Sequence, residues 1–476
     1  MPETTLNHAL KTLPPLTYRG AALFCEDANL AELAREFGTP LYIYSQARIL
    51  HNVQQLQAAF APANPLLCFS VKANNNRALL ALLHAQGLGF DVVSGGELHC
   101  ALRAGAPARN IAFAGVGKTD AELKQALQAR VGWLNVETAE ELERLEQLAA
   151  GAGVRQQVVL RLNPAIDADT HHQIATGGAN AKFGLLVAEA RALTARPWPH
   201  LDLCGVHLHI GSQLRSPAAT LAALDVALEF MRASLPNARV LDLGGGFPVA
   251  YQLGEEVPNI NVFAVPILQR LKSYSRPLRL LLEPGRCLLA DAGALLVTVL
   301  AVRNRSAART VIVDGGMHTL ARPAIYGAHH ELLPVRRAPA TSPADVAGPI
   351  CETTDYLARG RSLPALHRGD QIAICTTGAY GYSMASQYNA QPRPAEVLLT
   401  GANAHIIRRR ETFADLDGAN GYRDAGKSKA TALRNAITIH QRTRTDRDSH
   451  LYRRMIAMLP AQLLKPNASP PHKQTP

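Results

Sequence analysis

Among the 476 residues of this chain, one lysine carries the strongest chemical signal. The apolar, β-rich run LLCFSV (66–71) ends at Lys72, and the polar segment ANNN (73–76) then opens a helical pattern. A lysine at the mouth of a buried strand is expected in half-apolar surroundings, which favour the neutral amine. A neutral amine attacks carbonyls, so Lys72 is a candidate Schiff-base lysine. Most lysines at strand ends are only solvated charges, so the assignment depends on what accompanies it. Further along stand Arg161, His209 with Ser212, the triplet Gly244-Gly245-Gly246, the EPGR run (Glu283, Gly285, Arg286) and a Cys351–Glu352 pair.

Short apolar runs alternate with helical stretches from Leu66 to Gly285. The expected strands are 66–71, 90–94, 111–115, 133–137, 157–163, 203–210, 240–244 and 280–285, and patterns such as TDAELKQALQAR and TAEELERLEQLAA fill gaps between them. Such alternation implies a parallel sheet. Eight units predict a closed (β/α)8 TIM-type barrel, with an open doubly wound sheet as the alternative. A barrel puts chemistry at the C-terminal ends of its strands and phosphate sites after strands seven and eight. Lys72, Arg161, His209, the glycine triplet and EPGR all fall at such ends. Glycines there let the backbone approach a phosphate and present its N–H groups.

The pattern then becomes strand after strand with little helix. The expected organisation is an N-terminal segment (1–45) that contributes to a β domain, a barrel (46–295), a C-terminal β-sandwich or β-barrel-like domain (296–418) and a tail (419–476). RRAPATSPADVAG (336–348) reads as a loop. The net charge of +11 is uneven: residues 419–476 hold eleven Lys/Arg against three Asp/Glu, or +8, which leaves +3 for the rest. The basicity therefore belongs to the tail, which lacks aromatic interleaving, so nucleic-acid binding is not expected. Its last stretch, PNASPPHKQTP, is expected to be disordered. Seven scattered cysteines without a Cys-x-x-Cys pair point to neither a disulfide framework nor a structural zinc site. With no visible signal peptide or membrane span, a cytoplasmic location is expected. AGVGKT (114–119) looks like a phosphate-binding loop, but Ala112 stands where that motif needs glycine, and Val249 likewise breaks a dinucleotide fingerprint at GGGF.

Taken together, SVKAN, FDVVSGGEL, GVGKT, NP-x5-T-x4-ATGG-x3-KFG, GVHLHIGSQ, LDLGGGF, EPGR, RPAIYGAHH, GPICETTDYL and GAYGYSMASQYN resemble the alanine-racemase-like pyridoxal-phosphate decarboxylases, in the order found there. The likeness spans roughly residues 20–416 and is greatest to the diaminopimelate decarboxylases, which complete bacterial lysine synthesis. It implies pyridoxal 5'-phosphate as cofactor, no metal, and a head-to-tail homodimer with active sites shared across the interface. Lys72 would hold the cofactor, His209 would stack on its ring, and Glu283 would face the pyridine nitrogen, making the ring an electron sink. Gly244, Gly245, Gly246, Ser212, Gly285, Arg286 and Tyr380 would cradle the phosphate, with Asp91 and Arg161 orienting lysine and ring. Arg286, Arg322, Tyr326, Glu352 and Tyr380 would bind substrate, whose remote carboxylate calls for a bidentate arginine. Cys351 would deliver the proton that replaces CO2.

The chain departs from the usual pattern at His329, where tyrosine is common, at Gly315, where alanine is common, in the FPVAY turn, and in its long tail. The resemblance implies decarboxylation of meso-2,6-diaminopimelate to L-lysine. The alternatives are a decarboxylase of ornithine, arginine, lysine or a specialised metabolite, a non-catalytic pyridoxal-phosphate-binding protein, and an amino-acid racemase. The C-terminal half and the GPICETTD context argue against the last two.

Overall fold

In the computed structural model, the described residues are 15–166, 182–305, 309–339 and 342–418. The predicted tail, and the Thr and ATGG positions of the sixth-strand approach (170, 175–178), lie outside them.

Eight parallel strands form the barrel: Leu66–Ser70, Gly89–Val92, Ile111–Phe113, Trp133–Val136, Gln156–Asn163, Leu201–His207, Val240–Asp242 and Arg279–Leu282. Each pairs with the next, and Leu281–Leu282 pair back onto Leu66–Leu67, which closes the ring and excludes the open sheet. The helices between the strands are capped from the sequence itself. Asn76, Ser94, Thr119 and Thr138 each accept a backbone N–H at a helix start, and Thr119 and Glu122 form a reciprocal capping box.

Side chains alternate across a strand, so every second residue points into the barrel. Cys68, Ala112, Trp133, Val159, Cys204, Val240 and Leu281 form one buried apolar cluster, separate from the larger core. Two residues further along their strands stand Ser70, Asn135, Arg161, Asp242 and Glu283. Cross-strand register aligns Ser70 with Asp91, Arg161 with His207, and His207 with Asp242. The barrel thus carries an apolar plug with a polar layer immediately above it, at the C-terminal ends. Gly89 and Gly205 allow close strand approach: a Cβ at Gly89 would lie 2.1 Å from the Asn110 carbonyl oxygen, just before the next strand, and one at Gly205 2.1 Å from the Val240 carbonyl oxygen of its neighbour.

A second sheet runs in the order Tyr356–Leu363, Ser342–Ala347, Arg309–Val313, Gly293–Asn304, Leu41–Ser45, Ala395–Thr400, Asn403–Arg408, with Gln371–Ile374 joining Gly293–Asn304 to Leu332–Pro334. The early segment Leu41–Ser45 lies in this sheet, antiparallel to Gly293–Leu296 and parallel to Ala395–Leu399. AALFCED does not. Ala22–Cys25 belongs to a small antiparallel sheet with Leu16–Arg19 and Ala28–Asn29, tied on by Leu23 N–H to the Val335 carbonyl at 3.0 Å. The loop expected over 336–348 is also corrected. Ser342–Ala347 is an interior strand, parallel to Arg309–Ile312 and antiparallel to Tyr356–Leu363. Its Pro and Ala content hid it, because proline rarely sits inside a sheet. No helix among the described residues is long and apolar enough to cross a membrane.

Candidate active site

A cavity of about 960 Å³ opens above the polar layer, between the barrel mouth and the second sheet. Lys72, Arg161, His209, Ser212, Glu283, Arg286, Arg322, Tyr326 and Tyr380 all line it. Sequence reasoning therefore placed nine of its residues in one space.

Lys72 sits in a short 3-10 turn (Val71–Ala73) directly after the first strand. Its ammonium lies 3.6 Å from Asp91 Oδ2, which also accepts from Ser70 Oγ at 2.6 Å. The expected neutral amine is corrected here. Burial pushes the Lys72 pKa down, but Asp91, Tyr380 and Glu283 outweigh it and hold the group above its ordinary value. The sequence showed the apolar strand and not the carboxylates facing its end.

Three buried carboxylates share this floor, and they do not share charge equally. Glu283 faces His207 Nε2 at 3.2 Å, and Asn135 Nδ2 donates to it at 3.4 Å. Burial works against its charge, yet His207 and Lys72 prevail and keep it below the usual carboxylate range. Asp242 is pushed well above that range by burial and by the neighbouring Glu283 charge, and Asp91 is raised for the same two reasons. The surroundings thus favour charge on Glu283 and disfavour it on Asp242. His209, one turn above, is held well below its ordinary pKa by burial and by Lys72 and Arg161, so its imidazole is neutral.

Arg286 spans the side of the cavity. Its Nε and Nη2 both donate to Ser212 Oγ at 3.1 Å, Nη1 donates to the Tyr251 hydroxyl at 2.7 Å, and its guanidinium lies 4.8 Å from the Tyr380 ring centroid. Gly246 and Gly285 adjoin this corner in a small side cavity. Gly246 has φ +102°, and a Cβ there would meet the Gly211 carbonyl at 2.6 Å. Gly244 and Gly245 stand further back. Their N–H groups already donate to Asp242 Oδ1 (2.9 Å) and His209 Nδ1 (3.3 Å), so they hold the floor in shape and do not line the cavity.

The turn bearing Lys72 hangs from the second sheet. Tyr380 N–H donates to the Ala73 carbonyl at 2.8 Å, and Ser383 Oγ donates to the Lys72 carbonyl at 3.0 Å. Asn74 Nδ2 reaches Tyr44 and the Gly378 carbonyl, while Asn76 Nδ2 reaches Glu396 at 2.8 Å. The asparagines after Lys72 are therefore struts.

Cys351 and Glu352 do not line this cavity. Both are exposed on the second sheet's loop, where Asn389 Oδ1 accepts the Cys351 N–H (2.9 Å) and Tyr388 donates its hydroxyl to Glu352. Asp355 fixes the loop by accepting the N–H groups of Met317 (2.6 Å) and Ile350 (2.7 Å). The phosphate-loop lookalike also has a structural answer: Lys118 turns inward to Glu141 Oε1 (2.6 Å) and two backbone carbonyls. Glu137 then receives Gly115 N–H (3.1 Å) and aims Arg161 Nη1 (2.8 Å) at the cavity. Gly315 is explained by a neighbour, since a Cβ there would lie 2.6 Å from Val297 Cγ1.

Sequence reasoning missed Glu137, His207, Asp242, Tyr251 and His330. His207 was within reach, because it shares the inward strand parity of Gly205 and lies two residues before His209. Tyr251 and His330 lie in turns, where no periodicity marks them.

Residues 46–290 match the family described as "Pyridoxal-dependent decarboxylase, pyridoxal binding domain". A diaminopimelate decarboxylase of Pseudomonas aeruginosa is 43% identical over 406 residues, covering 84% of this chain and 97% of that relative. The chain belongs to the pyridoxal-dependent decarboxylases. Among solved structures, diaminopimelate decarboxylase from Helicobacter pylori complexed with L-lysine is similar with a TM-score of 0.78 at 37% identity, covering 82% of this chain and 99% of that one. The enzyme from M. jannaschii in co-complex with L-lysine gives 0.82 at 33%, covering 87% and 99%.

The cavity fits the family's cofactor. Pyridoxal phosphate needs an amine for its aldehyde, a carboxylate that stays ionised for its ring nitrogen, and a cationic, glycine-lined corner for its phosphate. Lys72, Glu283 and the Arg286–Ser212–Gly246 corner offer these three on one space, and the buried Asp91 Oδ1 has no protein partner.

Proposed function

We propose that the protein converts meso-2,6-diaminopimelate to L-lysine and CO2. One observation carries the substrate: the cavity is lined by Lys72 and also by the buried Arg322, which no carboxylate of the described residues neutralises. A substrate with an amino-acid group at each end suits such a space, because one end reacts while the other must be held. An ornithine-type substrate has no distal carboxylate for Arg322.

When bound, pyridoxal phosphate withdraws the electron pair left as CO2 departs. The chain's residues do the rest. Lys72 holds the cofactor and is oriented by Asp91. Glu283 keeps the ring nitrogen's proton in place, and the neutral His209 supplies a flat face without adding charge. Arg286, Ser212 and Tyr380 bind the phosphate, and Arg322 with Tyr326 takes the retained carboxylate.

Cys351 delivers the proton at the carbon that loses CO2, and Glu352 receives the remote ammonium. Because both are exposed and absent from their own chain's cavity, we infer a two-fold dimer in which each chain's loop enters the other's site. Unbridged cysteines fit a reducing compartment, so the cytoplasm is the proposed location.

Product analysis after separate incubation with meso-diaminopimelate, ornithine, arginine and lysine tests the reaction. Lysine should form from the first, and a diamine product from any of the others would replace this reading. Sharing is tested by mixing Lys72→Ala and Cys351→Ala dimers, each nearly inactive. After subunit exchange, half the dimers carry one intact site of two, so activity should recover to roughly a quarter of wild type. No recovery despite proven exchange would assign each site to a single chain.

A further inference from the structure

Arg322 opens the short helix Arg322–Tyr326 and is only 8% exposed. Its Nη1 lies 2.8 Å from Nε2 of His330, a residue with no exposed surface. The other ring nitrogen, Nδ1, lies 2.9 Å from the Cys375 carbonyl oxygen. These partners fix the tautomer. A carbonyl only accepts, so Nδ1 carries the hydrogen; a guanidinium only donates, so Nε2 presents its lone pair. Both nitrogens are committed and the imidazole is neutral. Its mount is rigid as well, because the Cys375 N–H donates to the Glu331 carbonyl at 2.8 Å, at the end of the ladder between Leu332–Pro334 and Gln371–Ile374.

Tyr251 completes the support. Its ring lies 4.6 Å from the Arg322 guanidinium, stands edge-on to His330 at 5.1 Å and 90°, and its hydroxyl accepts from Arg286. Arg322 is therefore held by two aromatic side chains, neither of them charged. A buried guanidinium is usually matched by Asp or Glu, since an unmatched buried charge is costly. Here that cost is relieved when an anionic ligand arrives. A carboxylate at position 330 would relieve it beforehand and compete with the ligand.

We propose that His330 is a positioning residue that aims Arg322 at the substrate's retained carboxylate while leaving its positive charge un-neutralised. The inference rests on the diaminopimelate reading above and goes beyond it, from which residue binds the carboxylate to what gives that residue its direction and its charge.

The test compares L-lysine with cadaverine, which lacks only the carboxylate, as ligands of the holoenzyme. Binding is followed through the cofactor's absorbance, and KM for diaminopimelate is measured alongside. His330→Leu removes the direction and His330→Glu removes the free charge. Each should lower the ratio of L-lysine to cadaverine affinity by about tenfold, the worth of one charge-assisted hydrogen bond. His330→Gln, with one acceptor and one donor, should keep the ratio within about threefold of wild type. The Gln and Glu variants suffice if the Leu variant fails to fold.

If Arg322→Ala lowers the ratio but His330→Leu and His330→Glu do not, the positioning role is wrong and the arginine clamp stands. Equal losses for lysine and cadaverine would also overturn it, as general damage to the site. If Arg322→Ala itself leaves the ratio unchanged, the substrate reading fails and takes the inference with it.

Discussion

The two ends of the cavity solve opposite electrostatic problems. At the floor, Asp91, Asp242 and Glu283 crowd around one lysine, and like charges so close cannot all ionise. The surroundings divide the conflict unequally, favouring charge on Glu283 beside His207 and disfavouring it on Asp242. Elsewhere on the cavity's lining, Arg286 donates to the Tyr251 hydroxyl and Arg322 lies over the Tyr251 ring, and no carboxylate of the described residues pairs with either. Arginine cannot shed its charge at working pH, so this end keeps two cations ready for anions that come from outside. The floor is tuned for a cofactor it keeps; the arginine side is left incomplete for a phosphate and a carboxylate.

Breaking the floor should cost most. Lys72→Ala should lose nearly all turnover, and borohydride should fix pyridoxal phosphate onto Lys72 in the wild-type protein. Peptide mapping of that adduct to another lysine would end the assignment. Glu283→Gln keeps the shape and removes the charge, so kcat should fall by about a hundredfold or more, the scale of losing a preorganised electrostatic contact. A near-normal kcat would mean that Glu283 is not the acid that matters.

On the arginine side the loss should be smaller and of another kind. Arg322→Ala should raise KM for diaminopimelate by roughly ten- to a hundredfold, from the about 1.5–3 kcal/mol of a hydrogen bond to a charged group, with kcat less affected. Unchanged steady-state constants would remove the clamp. The smallest effect is expected from Asp242→Asn. Burial and the Glu283 charge already disfavour the Asp242 anion, and asparagine retains the Oδ1 that accepts the Gly244 N–H, so kcat should change by no more than a few fold. A loss as large as that of Glu283→Gln would show that the charge assignment on the floor is reversed.

The barrel was legible because its rule concerns position. Reading where each apolar run stopped was enough to collect Lys72, Arg161, His209 and Glu283 at one mouth of the barrel, before any contact was known. The charge state of Lys72 was not legible, since Asp91 and Glu283 lie on neighbouring strands and only closure brings them to it. His330 and Tyr251 escaped for a related reason. They act through a tautomer and a ring face, properties of three-dimensional surroundings that no spacing records. The Ser342–Ala347 strand was hidden by composition, and Cys351 and Glu352 are proposed through their motif alone, since nothing in their own chain's cavity calls for them.

The struts above Lys72 bear on modularity. Gly378, Tyr380 and Ser383, in the loop between the strands Gln371–Ile374 and Ala395–Thr400, together with Glu396 of the latter, grip the backbone of residues 72–73 and the side chains of Asn74 and Asn76. A barrel cut free, or grafted to a foreign partner domain, would carry its lysine but lose the crosspiece that keeps that lysine still. The natural seam between barrel and sheet is therefore a poor place for recombination. Chimeras between relatives should exchange the 72–76 turn and the 378–396 segment together, as one inherited part.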